Sequence, residues 1–310
     1  MHNSMGASLY IPATHKHLME VANGERIEQA RSLIFCTEDS IAEHELGEAL
    51  FNLGAVLANM RRDLPAQRFV RVRNADVMAR VLAMPGADKL SGFVIPKATR
   101  RNLPAYLALV RGTAHLLMPT LETADVFNDD EMQRLRAYLD TPAIRSRILA
   151  LRIGGNDLLA LLGLRRPRTM TIYRTPLGPV IARLVTTFRP HGFVLTAPVF
   201  EHLDLTELLD QEVAEDLVYG MVGKTAIHPS QIDLIEQHYK VKPNDLESAM
   251  AILDQNSPAV FRMHHSMCEV ATHRAWAERT VLQSKLFGAH QHDNAARSVV
   301  SLVKSSRSQA

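Results

Sequence analysis

The sequence holds only two cysteines, Cys36 and Cys268, a single tryptophan, and aromatic residues at just 5% of its 310 positions. Two cysteines without a C-x-x-C spacing make neither a disulfide framework nor a zinc site, and they fit buried thiols in a reducing, cytoplasmic compartment. Long apolar runs are missing as well. A membrane-spanning helix needs roughly 18 consecutive apolar residues, and the runs here are broken by Gly, Pro or charge well before that, so no membrane partner is expected. Charge of one sign is also scarce: 35 basic residues stand against 33 acidic ones, for a formal charge of +2. Arg61-Arg62, Arg100-Arg101 and Arg165-Arg166 are short, separated pairs that read as solvated surface, and no basic face for nucleic acid is expected. Met1 to Ala7 shows no basic region followed by an apolar one, so no secretory signal is read there.

What is present is an apolar fraction of 46%, enough for a large core, arranged in a repeating pattern. Eight short β-rich runs, each followed by a segment with helical spacing, lie near Ser8–Ile11, Ser32–Cys36, Arg68–Val72, Gly92–Ile95, His115–Met118, Ile148–Ile153, Gly192–Thr196 and Leu217–Val222. Nearly continuous apolar runs are those of parallel strands covered on both faces, and eight such units predict an α/β fold, a (β/α)8 TIM barrel. Ser40-Ile41-Ala42-Glu43 reads as a capping box for the second helix. The barrel is expected over residues 1–239. A C-terminal helical extension follows over 240–287, with helices at Asp245–Leu253 and Val260–Leu286, and a flexible tail over 288–310.

In such barrels chemistry gathers past the C-terminal strand ends. Those positions hold Glu38 and Asp39, Arg71 and Arg73, Lys97, Glu122, Asp157, and Lys224 with His228. Glu122 and Asp157 end consecutive strands, so their carboxylates could converge on a hard cation such as Mg²⁺, which takes one or two carboxylates and completes its shell with water and substrate oxygens. The same acids also suit the starts of their following helices, and spacing leaves both readings open. Glu38 and Asp39 divide in the same way between helix start and function, and Arg71 between a structural ion pair and a carboxylate clamp. Gly220–Thr225 resembles a phosphate loop superficially, but Val218 stands where its first glycine belongs, which excludes that reading.

Together the strand-end residues form seven ordered motifs: Pro12-Ala13-Thr14-His15, Thr37-Glu38-Asp39-Ser40-Ile41, Arg71-Val72-Arg73, Pro96-Lys97, Glu122-Thr123-Ala124, Gly154-Gly155-Asn156-Asp157-Leu158 and Gly223-Lys224-Thr225-Ala226-Ile227-His228-Pro229. On these the chain resembles the citrate lyase β-subunit-like branch of the HpcH/HpaI aldolase superfamily, from about Ala7 to Phe287. The resemblance implies a Mg²⁺-dependent carbon-carbon lyase, cleaving or condensing in aldol or Claisen fashion. Its substrate would be a 2-oxo acid such as oxaloacetate, glyoxylate or pyruvate, with an acyl-CoA or aldehyde partner. It places Mg²⁺ on Glu122 and Asp157, substrate contacts at Arg71, Asn156 and Lys97, and Glu38, Asp39, Lys224 and His228 in the surrounding shell. It also implies a homo-oligomer, a trimer or hexamer, in which Glu269 of Met267-Cys268-Glu269 reaches a neighbour's site as a catalytic acid in place of the family's aspartate. Val21-Ala22 stands where members using coenzyme A thioesters carry a lysine before alanine, and Arg73 replaces an asparagine. Such divergent members are often encoded among tellurium-resistance and stress genes. The competing expectation is a catalytically idle barrel that serves as an assembly or regulatory subunit.

Overall fold

The computed structural model describes residues 5–291, and the expected tail over 288–310 lies largely outside them. Eight parallel strands form one sheet: β1 (Gly6–Pro12), β2 (Ser32–Cys36), β3 (Gln67–Arg71), β4 (Gly92–Ile95), β5 (Leu116–Leu121), β6 (Leu151–Ile153), β7 (Leu195–Thr196) and β8 (Gly223–Ala226). The order is β7-β6-β5-β4-β3-β2-β1-β8. Val222 N–H donates to Leu195 O at 2.9 Å and Ala197 N–H to Gly223 O at 2.8 Å, which bridges the remaining gap between β7 and β8. The eight units therefore close as a TIM barrel, the expected architecture. Met5, Ile34, Phe69, Val94, Met118, Leu149 and Ala150 form a buried apolar cluster contributed chiefly by its strands. Truncating one of the large members, such as Phe69, to alanine would cost about 3–5 kcal/mol.

Helix starts follow local chemistry. Asn74 accepts from Val77 N–H at 2.9 Å at the head of the helix Ala75–Leu82, and Asn128 from Glu131 N–H at 3.2 Å before Asp129–Leu139. The expected capping box at Ser40 is displaced by two residues. The Glu45 carboxylate reaches back to the Ala42 N–H at 2.6 Å, so the turn starts after Ala42.

The chain divides into two compact units near residue 236. The second contains the helix Pro243–Leu253, an antiparallel hairpin of β9 (Val260–Met263) and β10 (Ser266–Glu269), and the helix Val270–Phe287. Ala249, Ile252, Cys268 and Ala277 pack together there, with Phe261, Met263 and Val281 against them. The single helix expected over Val260–Leu286 is thus a hairpin followed by a helix. Its two-residue turn is His264-His265, both with positive φ (46° and 64°), a geometry usually announced by Asn-Gly or Gly and so hidden in this sequence.

Two further expectations are corrected. The eighth strand begins at Gly223 rather than at Leu217, because Leu217 and Val218 complete the helix Thr206–Val218. Lys224 therefore lies within β8, not after it, and is fully buried. Its Nζ sits 2.9 Å from both Glu212 Oε1 and Asp216 Oδ2. The pair Arg165-Arg166 is only half solvated. Arg165 is exposed, while Arg166 is buried and meets Glu212 Oε2 at 2.7 Å. Tyr173 donates to Asp216 Oδ1 at 2.5 Å, so one ionic cluster ties β8, the helix Thr206–Val218 and the loop that includes Arg166 and Tyr173.

Removing one partner of such a cluster leaves uncompensated buried charge. Lys224→Met is expected to lose about 3–5 kcal/mol of unfolding free energy in denaturant titrations. Burial already pushes the Asp216 carboxyl up to about 6 with the lysine beside it. A carboxyl with a raised folded-state pKa loses its stabilising contribution as pH rises, so the deficit should widen from acidic to neutral pH. A deficit independent of pH would mean that the loss is one of packing.

Candidate active site at the barrel mouth

The C-terminal strand ends enclose a pocket of about 340 Å³ lined by Tyr10, Asp39, Arg71, Thr120, Glu122, Arg152, Gly154, Asn156, Asp157, Glu201 and Thr225, among others. Arg71, the last residue of β3, is its electrostatic centre. Its Nη2 lies 2.7 Å from Glu38 Oε2, 2.9 Å from Asp39 Oδ2 and 3.4 Å from Glu122 Oε1. Burial alone would lower its pKa, but Tyr10, Glu122 and Glu38 raise it, so the guanidinium stays charged.

Lys97 supplies a second cation. Its Nζ is 3.0 Å from Glu38 Oε1 and 3.7 Å from both Asp39 Oδ1 and Asp157 Oδ1. The residue takes a left-handed backbone, φ 47°, which costs a non-glycine residue about 1–3 kcal/mol. In that conformation its N–H donates to Glu122 Oε1 at 2.8 Å. One residue thus touches three of the acids through its side chain and the fourth through its backbone.

Glu122 is 3% exposed. Burial pushes its carboxyl up to about 7, against the opposing pull of Arg71. Gly154 explains how it fits, since a Cβ there would stand 2.2 Å from Glu122 Oε2 and 2.4 Å from its Cβ. Burial likewise raises the pKa of Glu38, which accepts from the Asp39 N–H at 2.8 Å. Burial works in the same upward direction on Asp39, yet Glu38, Arg71, Lys97 and Arg73 together bring its pKa below the usual value. Arg73 turns away from the pocket to the backbone, with its guanidinium 3.2 Å from Ile41 O and 3.4 Å from Thr37 O and Glu38 O. It fastens the β2 loop that carries Glu38 and Asp39.

Of the residues expected from sequence, Arg71, Glu122, Asn156, Asp157 and Asp39 line the pocket, and Glu38 and Lys97 are joined to it by ion pairs. Asn156 Nδ2 donates to Glu201 Oε2 at 2.9 Å. Lys224 belongs to the closed cluster described above. His228 is exposed, and its Nδ1 accepts from the Ser230 N–H at 3.2 Å, capping a local turn. Glu269 lies in the second unit at the end of β10, where Thr272 Oγ1 donates to its Oε2 at 3.0 Å. Sequence reasoning missed Tyr10, Thr120, Arg152, Glu201 and Thr225. A signal existed for Arg152, the only charge in the run Leu149–Ile153.

The donor set suits a hard cation. All the nearby anionic ligands are carboxylate oxygens, and Glu122 is buried at a point where its ionisation is opposed. Among the described residues no three His, Cys, Asp or Glu side chains form a ready metal cage, so an ion here would rely on two carboxylates, water and substrate oxygens, the usual habit of Mg²⁺.

In metal-free protein, Glu122→Gln is expected to gain stability relative to the parent as pH rises from the ordinary value of 4.5 through about 7. Linkage gives the sign: the parent loses the contribution of a carboxyl with a raised folded pKa over that window, and the amide does not. Paired thermal melts with a chelator check it. The relative shift should approach roughly 3 kcal/mol, and a constant difference across the window would contradict the raised pKa.

No described helix is long and apolar enough to cross a membrane. A (3S)-malyl-CoA thioesterase of Cereibacter sphaeroides is 29% identical over 247 residues, 78% of this chain and 79% of that protein. The crystal structure of CitE from Mycobacterium tuberculosis in complex with magnesium, acetoacetate and coenzyme A matches with a TM-score of 0.69 and 19% identity, over 92% of this chain and 100% of that one. A magnesium/glyoxylate complex of Haloferax volcanii malate synthase matches with a TM-score of 0.64 and 15% identity, over 75% of this chain and 74% of that one. At these identities the solved structures speak to fold alone. The family model described as carbon-carbon bond lyase of the TIM-barrel fold covers residues 1–289. The chain is therefore a member of the family of carbon-carbon bond lyases of the TIM-barrel fold.

Proposed function

We propose that this protein is a Mg²⁺-dependent carbon-carbon lyase acting on a short 2-oxo acid, with an acyl-CoA or aldehyde as the second partner. The observation that carries the reading is the convergence of Glu122 and Asp157 on one pocket beside the buried Arg71 guanidinium. Glu122 and Asp157 would hold the ion, which when bound supplies Lewis-acid polarisation of carboxylate and carbonyl oxygens. Arg71 presents a fixed, permanently charged donor where enolate charge develops, so little reorganisation is needed during the reaction. Lys97 spans Glu38, Asp39 and Asp157 and balances their charge while the substrate enters. Glu201 holds the Asn156 amide at 2.9 Å and so orients the first turn of the helix Gly155–Leu161, which would face the substrate carboxylate.

Complexes of relatives support the cofactor and partner classes, since the CitE complex contains magnesium and coenzyme A and the malate synthase complex magnesium and glyoxylate. The named thioesterase relative favours a second reading, in which the same pocket hydrolyses a thioester. Mass spectrometry of products from a thioester panel separates them: cleavage releases a 2-oxo acid or aldehyde, and hydrolysis releases the intact acid.

A homo-oligomer, a trimer or hexamer, belongs to the same proposal, with Glu269 serving a neighbour's pocket as a general acid. Val260, Met267 and Trp276 remain exposed on the second unit, and an apolar surface of that kind is suited to a partner subunit.

Calorimetric titration with Mg²⁺ and pyruvate or glyoxylate should show ternary binding that Asp157→Asn abolishes. An idle barrel would show no ternary binding in the parent. Arg71→Lys should lower turnover by about 10²–10³-fold while Mg²⁺ binding persists; activity surviving within a few fold would move the role to Lys97. Mixed oligomers of Glu269→Gln and Asp157→Asn chains should recover part of the activity lost in each alone. No recovery in verified mixed oligomers, or a monomeric mass, would remove Glu269 from the mechanism.

A further inference from the structure

Arg152 is 2% exposed, lies on β6 and lines the pocket, yet among the described residues no carboxylate lies within ion-pairing distance of it. Its contacts are neutral. Nη2 donates to Thr225 Oγ1 at 2.6 Å, Nη1 lies 3.9 Å from Met118 Sδ, and the guanidinium carbon stands 5.4 Å from the centre of the Tyr10 ring. The contrast with Arg71 is sharp. The guanidinium carbon of Arg71 stands 5.8 Å from the centre of the same ring and has three carboxylates around it. Burying a cation without an anion is costly, and Arg152 lines the pocket, where an entering anion could supply the missing charge.

A second unsatisfied group points to the same spot. Thr120 pairs in register with Arg152 across β5 and β6, so the two side chains share a face of the sheet. Its hydroxyl is buried, lines the pocket and has no hydrogen-bond partner. A guanidinium fork and a free hydroxyl side by side match the two oxygens of a carboxylate. The two arginines of the pocket therefore differ in their company. Glu38, Asp39 and Glu122 gather around Arg71 and suit a cation with the oxo-acid end of a substrate, while the groups beside Arg152, the Thr120 and Thr225 hydroxyls and the Met118 thioether, are neutral.

We propose that Arg152, with Thr120 and Thr225, forms a subsite for the second carboxylate of the substrate, which makes that substrate a short dicarboxylic 2-oxo acid rather than a monoacid. This deepens the 2-oxo acid reading above and rests on it for the oxo-acid half. Arg152 alone sets the preference between acids that differ by one carboxylate.

The test has two arms. In the first, acetate is titrated into the metal-free full chain at constant ionic strength, and melting temperature is followed. Wild type should show a saturable rise that is absent in Arg152→Met. Thr120→Val, which leaves the charge in place, should weaken the response severalfold and serves if Arg152→Met fails to fold. No saturable rise, or the same rise in these variants, overturns the subsite. In the second arm, pyruvate and oxaloacetate are compared by calorimetry with Mg²⁺ present. Wild type should prefer oxaloacetate by at least roughly tenfold, the scale of a charged hydrogen bond, and Arg152→Met should bring the ratio near one. Equal binding of both acids by wild type overturns the dicarboxylate assignment and leaves the 2-oxo acid reading intact. Binding of neither acid refutes the 2-oxo acid reading, and the acetate arm then decides whether Arg152 holds a carboxylate.

Discussion

The mouth of this barrel gathers four carboxylates, Glu38, Asp39, Glu122 and Asp157, around a buried guanidinium and a half-exposed ammonium. Without Arg71, Glu38 and Glu122 would lose the cation that opposes the effect of their burial, which already raises the pKa of both with the arginine present. Glu38, Asp39 and Glu122 all lie within 3.4 Å of a single guanidinium nitrogen, Nη2, and the guanidinium keeps its charge in burial where a lysine ammonium would readily lose it. The loop after β2, the bend at Lys97 and the bare backbone of Gly154 all accommodate this cluster.

The two lysines of the expected site show how environment separates residues of one type. Lys224 is sealed between β8 and the helix Thr206–Val218 with two acids of its own, and its function there is to hold the fold. Lys97 is half exposed, stands in a left-handed bend, and bridges acids that border an open pocket. The first cluster is closed on itself. The second retains access to solvent and to whatever enters, which is where chemistry requires charge to be available.

The pocket's two arginines share one aromatic neighbour. The Tyr10 ring centre lies within 6 Å of both guanidinium carbons. The negative face of an aromatic ring attracts a cation without adding an anion, so the Tyr10 ring eases the burial of Arg152 while its positive charge stays unneutralised. The proposed second-carboxylate subsite rests on that unneutralised charge.

Strand count, parallel direction and the positions of Arg71, Lys97, Glu122 and Asp157 were legible in the sequence, because short apolar runs punctuated by polar loops follow directly from strands buried on both faces. Motif order added the family. What local pattern could not supply was the fate of charged residues inside apolar runs. Lys224, Arg152 and Arg166 read as strand end, strand interior and surface, and only the packed structure assigns the first and third to one closed ionic cluster and leaves the second unpaired in the pocket. The same holds for the hairpin at His264-His265, whose positive φ values no residue there advertises. A residue's burial and partners depend on elements distant in sequence, such as Glu212 for both Lys224 and Arg166, and long-range pairing of that kind is decided when the barrel closes and not by the neighbours along the chain.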